Sequence, residues 1–187
     1  MFDPEDGEVI QIAVKRIPEN HAHVELGAWC GRSLSAACEA LPKNTIAFSY
    51  DNYLEDSQAT DGSSAPITPE VAKNLRWVVQ KHYIGQGKDV RCFVKESSQA
   101  GLEYGGPPVS VLFVDDHHTA EQVKSNIAAW MPHCAEQCTV LFHDYYCGLY
   151  GIVAAATEVL PSLGFTFVCA RGGIGIWSRG YLPVELT

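Results

Sequence analysis

From His23 to Phe142 the chain alternates short apolar runs with amphipathic segments, and that alternation constrains its fold more than any other feature. Strand-like runs occur at His23 to Leu26, Thr45 to Tyr50, Asp89 to Glu96, Val109 to Val114 and Thr139 to Phe142. Val109 to Val114 (VSVLFV) reads as buried on both faces. Between the runs, helical spacing takes over. Leu34, Ala37, Cys38 and Leu41 follow it from Arg32 onward. A second helix starts at Thr68-Pro69, carries Val71, Leu75, Val78, Val79 and Tyr83 on its apolar face, and ends near Gly85. A third opens on Thr119-Ala-Glu-Gln122, which has the form of a capping box, and runs through Val123, Ile127, Trp130 and Met131 to Pro132. Leu149, Ile152, Val153, Ala156, Val159, Leu160 and Leu163 trace a last stripe closed by Gly164. FTFVCA and IGIWSR then flank Arg171-Gly172-Gly173 as a hairpin. Strands separated by helices predict a three-layer α/β sandwich with a mostly parallel seven-stranded sheet and an antiparallel C-terminal hairpin.

A length of 187 residues suits one domain, expected over residues 24–187 after an N-terminal segment of residues 1–23. With 13 Lys+Arg against 22 Asp+Glu, the net charge is -9 and no basic run is available to neutralise phosphates, so neither nucleic acid nor a membrane surface is an expected partner. The start, MFDPEDGEVIQIAV, lacks the features of a signal peptide, and no stretch is long enough to span a bilayer; a cytoplasmic protein is expected. The seven cysteines lie in apolar neighbourhoods and read as reduced core thiols, Cys134 and Cys138 included, because no second pair follows at zinc-site spacing. Asn52 to Pro69 is acidic and bears Gly, Ser and Pro, as expected of a long surface loop.

Three constellations carry chemistry, all at the carboxyl ends of strands, where such sheets bind ligands. The first is VELGAWCGRS, Val24 to Ser33: a strand, two glycines four apart, then a helix start whose free N–H groups can face an anion. Asp51, twenty residues past Gly31, ends the next strand and can accept hydrogen bonds from ribose hydroxyls. Gly27-Ala-Trp-Cys-Gly31 lacks the middle glycine of the nicotinamide fingerprint, which counts against an NAD-dependent oxidoreductase. The second is Asp115-Asp116-His117-His118 and the third is His143-Asp144-Tyr145. Adjacent strands lie about 4.8 Å apart, so these groups converge on one volume, where a divalent ion could acidify a hydroxyl. The structural alternative is that these residues only cap strand ends.

VELGAWCGRS resembles the cofactor motif of class I S-adenosylmethionine-dependent methyltransferases, above all the ELGAYCGYS form of catechol O-methyltransferases. FVDDHHTAEQVKSNIAAW and LFHDYY resemble FIDGDHSYEGVKxDIxxW and AFHDY of the methyltransferase domain 24 family. The resemblance implies a Rossmann-like fold, S-adenosylmethionine as cofactor and methylation of an oxygen on a small molecule or sugar. It places Glu25, Gly27, Gly31 and Ser33 at the methionine end of the cofactor, Asp51 at the ribose, and Ser97 or Ser98 beside the adenine. It also implies Asp115 and Asp144 as ligands of Mg²⁺ or another divalent metal, with His143 as third ligand because Tyr145 stands where an asparagine is usual. His118 replaces the family's lysine and becomes the candidate base. The short chain outside this fold suggests a second subunit completing the acceptor site, or a methyltransferase-fold binding or assembly protein without catalysis.

Overall fold

The structure, a computed structural model, describes residues 2–53, 67–146, 151–180 and 186. Helix α1 (Pro4–Val14) leads into β1 (Ala22–Leu26), α2 (Arg32–Ala40), β2 (Ile46–Asp51), α3 (Pro69–Gly85), β3 (Asp89–Val94), α4 (Ser97–Leu102) and β4 (Val109–Val114). Then come α5 (Ala120–Trp130), β5 (Cys134–Phe142), α6 (Ile152–Val159), β6 (Thr166–Arg171) and β7 (Ile174–Arg179). The seven strands form one sheet in the order β3-β2-β1-β4-β5-β7-β6. β7 runs antiparallel to both β5 and β6, and the remaining pairs are parallel. The expected Rossmann-like sandwich is therefore the observed fold.

Alternation along the strands divides the core between two layers. Val24 and Leu26 face a cluster built with α5 and α6, which includes Ile127, Trp130, Ile152 and Leu160. The opposite face packs Val111, Phe113 and Leu141 beneath α1 and α2, with Val9, Ile10, Val14 and Leu34. β1 lies inside the sheet between β2 and β4, and all five of its residues are buried, including the polar His23 and Glu25. Strand order reverses between β1 and β4, the switch point at whose carboxyl ends such sheets bind ligands. Register then sets the site: Leu26 pairs with Val114 and Val114 with Phe142, so Gly27, Asp115 and His143 leave the sheet side by side.

Four departures from sequence expectation have physical causes. Residues 2–23 are joined to the sheet, since α1 buries Val9, Ile10, Ala13 and Val14 against it and β1 already begins at Ala22. The cue was short: Asp3 and Asp6 form a reciprocal capping box around Pro4. On α3 the Thr68 cap holds, but only Val79 and Tyr83 of the expected apolar face turn inward. Val71, Leu75 and Val78 are 47%, 43% and 63% exposed, and the buried face is Ala72, Arg76 and Tyr83, because Arg76 reaches carbonyls at the ends of β2 and β3. The α5 capping box is half formed: Gln122 N–H donates to the Thr119 hydroxyl, while the Gln122 side chain turns to Glu96 and Asn126. Finally, the short helix α4, N-capped by Glu96, follows β3 where the sequence pattern assigned no element.

Leu149 of the last helical stripe and residues 54–66 of the long acidic loop lie outside the described residues. The six described cysteines are free thiols. Among the described residues, no helix is long and apolar enough to cross a membrane.

Candidate active site

The floor of the site is the turn from β1 into α2. Gly27 and Gly31 both take positive φ, +79° and +83°. A Cβ on Gly27 would lie 2.1 Å from the Asp115 carbonyl oxygen, so only glycine lets β1 and β4 close at this point. Gly31 is the N-cap of α2 and supplies no side-chain acceptor, which leaves the first-turn N–H groups of α2 without that partner.

Asp51 ties this turn to the end of β2. Its Oδ2 accepts the N–H groups of Ala28 (2.9 Å) and Trp29 (2.7 Å), and its Oδ1 accepts that of Tyr53 (2.7 Å). A carboxylate has about four lone-pair sites, so about one is left for a further donor. Glu25 sits below the turn, wholly buried, and accepts hydrogen bonds from the Ser33 hydroxyl and from Ser49 Oγ at 2.7 Å. Burial pushes its pKa up to about 7, against the pull of Ser33, Ser49 and the Arg76 cation. Glu25 and Ser33 thus satisfy each other inside the protein, beneath the turn. Arg76 braces the same region, donating to the carbonyls of Ser49 (3.3 Å) and Phe93 (3.1 Å).

The second half of the site stands at the ends of β4 and β5. His118 Nε2 lies 3.6 Å from Asp115 Oδ1 and 3.5 Å from Asp144 Oδ2. Ligand atoms of Asp115, His118 and Asp144 all fall within 4.8 Å of one another, a donor set of two carboxylates and one imidazole that fits a divalent cation. Asp144 is held in a left-handed conformation, φ +51°, which an Asp side chain tolerates.

His143 is placed differently from the ligand its sequence position suggested. It is buried beneath the trio, with Nδ1 3.0 Å from Asp115 Oδ1 and Nε2 3.3 Å from Asp6 Oδ2. Burial alone would lower its pKa, but the hydrogen bond and charge of Asp115, followed by the charges of Asp144 and Asp6, outweigh it and raise the pKa to about 9. Both of its ring nitrogens thus already face carboxylates. His118 therefore takes the third place in the cluster. Asp115 is held below the usual carboxylate range: burial is the largest single influence and works upward, but the hydrogen bonds and charges of His118 and His143 together outweigh it.

A family model described as a methyltransferase domain, of the group numbered 24, matches residues 24–145, which span both halves of this site. The chain belongs to this methyltransferase family. That membership sets aside the oxidoreductase alternative. None of the curated proteins matches the methyltransferase in sequence. Its solved structural relatives share its fold at low identity. The calicheamicin methyltransferase CalS11 superposes with a TM-score of 0.69 at 14% identity, covering 94% of this chain and 77% of that one. The O-methyltransferase TomG from Streptomyces achromogenes, solved in complex with SAM, gives 0.67 at 10%, covering 96% and 81%. A methyltransferase from Geobacter sulfurreducens gives 0.67 at 11%, covering 96% and 80%.

Of the other expected residues in the methyltransferase, Ser97 is buried at the head of α4, where its carbonyl accepts Trp130 Nε1–H at 2.9 Å. Ser98 is half-buried and donates from both N–H and Oγ to Glu96. Two residues escaped sequence reading. Arg76 lies in an amphipathic helix where a cation is ordinarily a solvated residue. Asp6 lies far from the strand-end motifs, yet its carboxylate accepts the Gly173 N–H (2.8 Å) and faces His143, pinning α1 and the β6–β7 turn to the site. The Asp3-to-Asp6 capping pattern was its only sequence signal.

Proposed function

We propose that the methyltransferase binds S-adenosylmethionine over the β1–α2 turn and transfers its methyl group to a hydroxyl of a small molecule or sugar. The observation that carries this reading is the juxtaposition, across the β1–β4 switch point, of a bare glycine turn with the Asp115, His118 and Asp144 cluster. The cofactor supplies an electrophilic methyl group.

The chain's own residues do the rest by binding and positioning. The uncapped N-terminus of α2 suits the carboxylate of the methionine end, and Gly27 and Gly31 allow close approach to the turn. Asp51 offers its remaining acceptor site to a ribose hydroxyl, and Ser97 and Ser98 at the head of α4 stand on the adenine side. Glu25 and Ser33 hold the turn from below. At the acceptor end, His118 between its two carboxylates takes the hydroxyl proton, and Asp115 and Asp144 orient the acceptor for in-line attack. A divalent ion held by Asp115, His118 and Asp144 would instead supply Lewis acidity toward the acceptor oxygen. Support for an oxygen acceptor comes from the relatives' names, which include a TDP-rhamnose 3'-O-methyltransferase. The net charge of -9 supports a small acceptor over nucleic acid.

Calorimetry with S-adenosylhomocysteine and Mn²⁺ on the purified chain tests the reading. Saturable nucleoside binding is expected, with Mn²⁺ binding that disappears in Asp115→Asn and Asp144→Asn. Absence of nucleoside binding at millimolar ligand removes the cofactor assignment. Binding without transfer to catechols, phenols or nucleotide sugars favours a non-catalytic binding role.

A further inference from the structure

The apolar spacing of α3 that faces solvent has the geometry of a helix-pairing seam. Val71, Leu75 and Val78, followed by His82, step by four, three and four residues, which is the heptad spacing that keeps one stripe facing a partner helix. Monomers expose apolar side chains mostly as scattered singles. Here Val71, Leu75 and Val78, at 47%, 43% and 63% exposure, stand in line along one flank of a 17-residue helix, which is about 25 Å long. Trp77 and Ile84, 43% and 50% exposed, extend apolar surface on its other flank.

The charges beside the seam fit a second copy of the same helix. Glu70 lies in the first turn of α3, Lys81 lies near its last turn, and helical spacing puts both, exposed, on the same side of the seam. In an antiparallel pair each flank meets its own kind reversed. Glu70 then comes beside Lys81 of the partner subunit, and the two helix dipoles oppose favourably. A parallel pair would instead set like charges at the same level. An antiparallel pair about a twofold axis is also isologous, the commonest form of homo-oligomer.

We propose that the chain forms a twofold dimer through antiparallel pairing of α3. A seam of one helix is small against the roughly 1,200–2,000 Å² of stable interfaces, so the dimer is weak and concentration-dependent. Its consequence reaches the site, because the inner face of α3 carries Arg76 and Val79 against Gly31 of the β1–α2 turn. The dimer is independent of which cofactor or acceptor the chain takes.

Sedimentation velocity of the full chain from about 1 μM to about 1 mM, the range of moderate affinities, tests this. The expected result is a shift from 20.4 kDa monomer toward dimer across that range. Val78→Glu, at a largely exposed position, is expected to weaken association at least tenfold with an unchanged melting temperature. Glu70→Lys is expected to weaken it, and Glu70→Lys with Lys81→Glu to restore it. A monomer at every concentration, or a dimer that survives Val78→Glu, overturns the proposal; failure of the charge exchange to rescue overturns the antiparallel arrangement.

Discussion

Replacing His143 with glutamine should remove a pH-dependent part of the protein's stability and leave a deficit that is largest at low pH and shrinks as pH rises. The imidazolium stands between Asp115 at 3.0 Å and Asp6 at 3.3 Å, and its side chain is only 5% exposed. Its pKa rises in the fold from 6.5 to about 9, an interval worth roughly 3 kcal/mol of folding free energy. The sign follows from the direction: a group that binds its proton more tightly when folded contributes fully below its unfolded pKa. That contribution is present below about pH 6.5 and is lost as pH rises through about 9. His143→Gln also strands two acidic side chains, and removing one partner of a buried pair costs about 3–5 kcal/mol. Urea unfolding of wild type and variant, with chelator present, should therefore show a large stability difference near pH 6 that shrinks by roughly 3 kcal/mol by pH 10. The comparison subtracts Glu25, whose raised pKa also makes stability fall with rising pH. A stability difference of equal size at pH 6 and pH 10 would refute a charged His143 in the folded protein.

Two further outcomes test the turn. Gly27→Ala forces a Cβ to within 2.1 Å of the Asp115 carbonyl in a left-handed conformation and should cost about 3 kcal/mol or more. Gly87→Ala, with the same φ of +79° but nothing within 4 Å, should cost only about 1–2 kcal/mol, so equal melting temperatures for the two variants would contradict the close approach of β1 and β4. Asp51→Ala frees two backbone N–H groups of the turn and that of Tyr53 after β2, each such bond to a charged acceptor being worth about 1.5–3 kcal/mol. Calorimetric affinity for S-adenosylhomocysteine is then expected to fall at least about tenfold, and unchanged affinity would remove Asp51 from the binding site.

Most of the sheet was legible because its signals are local. Apolar runs of strand length, Thr68-Pro69 as a helix start and Gly-Gly at the hairpin each fix backbone geometry within a few residues of themselves. The strand-end motifs were legible for a related reason: in a parallel sheet the carboxyl ends share one edge, so Gly27, Asp51, Asp115 and His143 come together once the strands are found. The inward face of α3 was not legible. Hydrophobicity predicted Val71, Leu75 and Val78 inside, whereas the protein buries Arg76 to satisfy the carbonyls of Ser49 and Phe93. α4 was missed because its six residues are too few to show a period.

The order of strands and helices, the two glycines that only a tight turn needs, and the acidic and imidazole groups at the ends of β4 and β5 are all written in local sequence. Which imidazole does what depends on packing. His143 and His118 lie in equivalent-looking strand-end motifs, and sequence made His143 the ligand. Packing of α1 brings Asp6 across more than a hundred residues of chain to His143 Nε2, closing that ring between two carboxylates, while His118 joins Asp115 and Asp144 in the cluster. A protonation state depends on every charge within a few ångströms, and the chain's order in sequence does not set those distances.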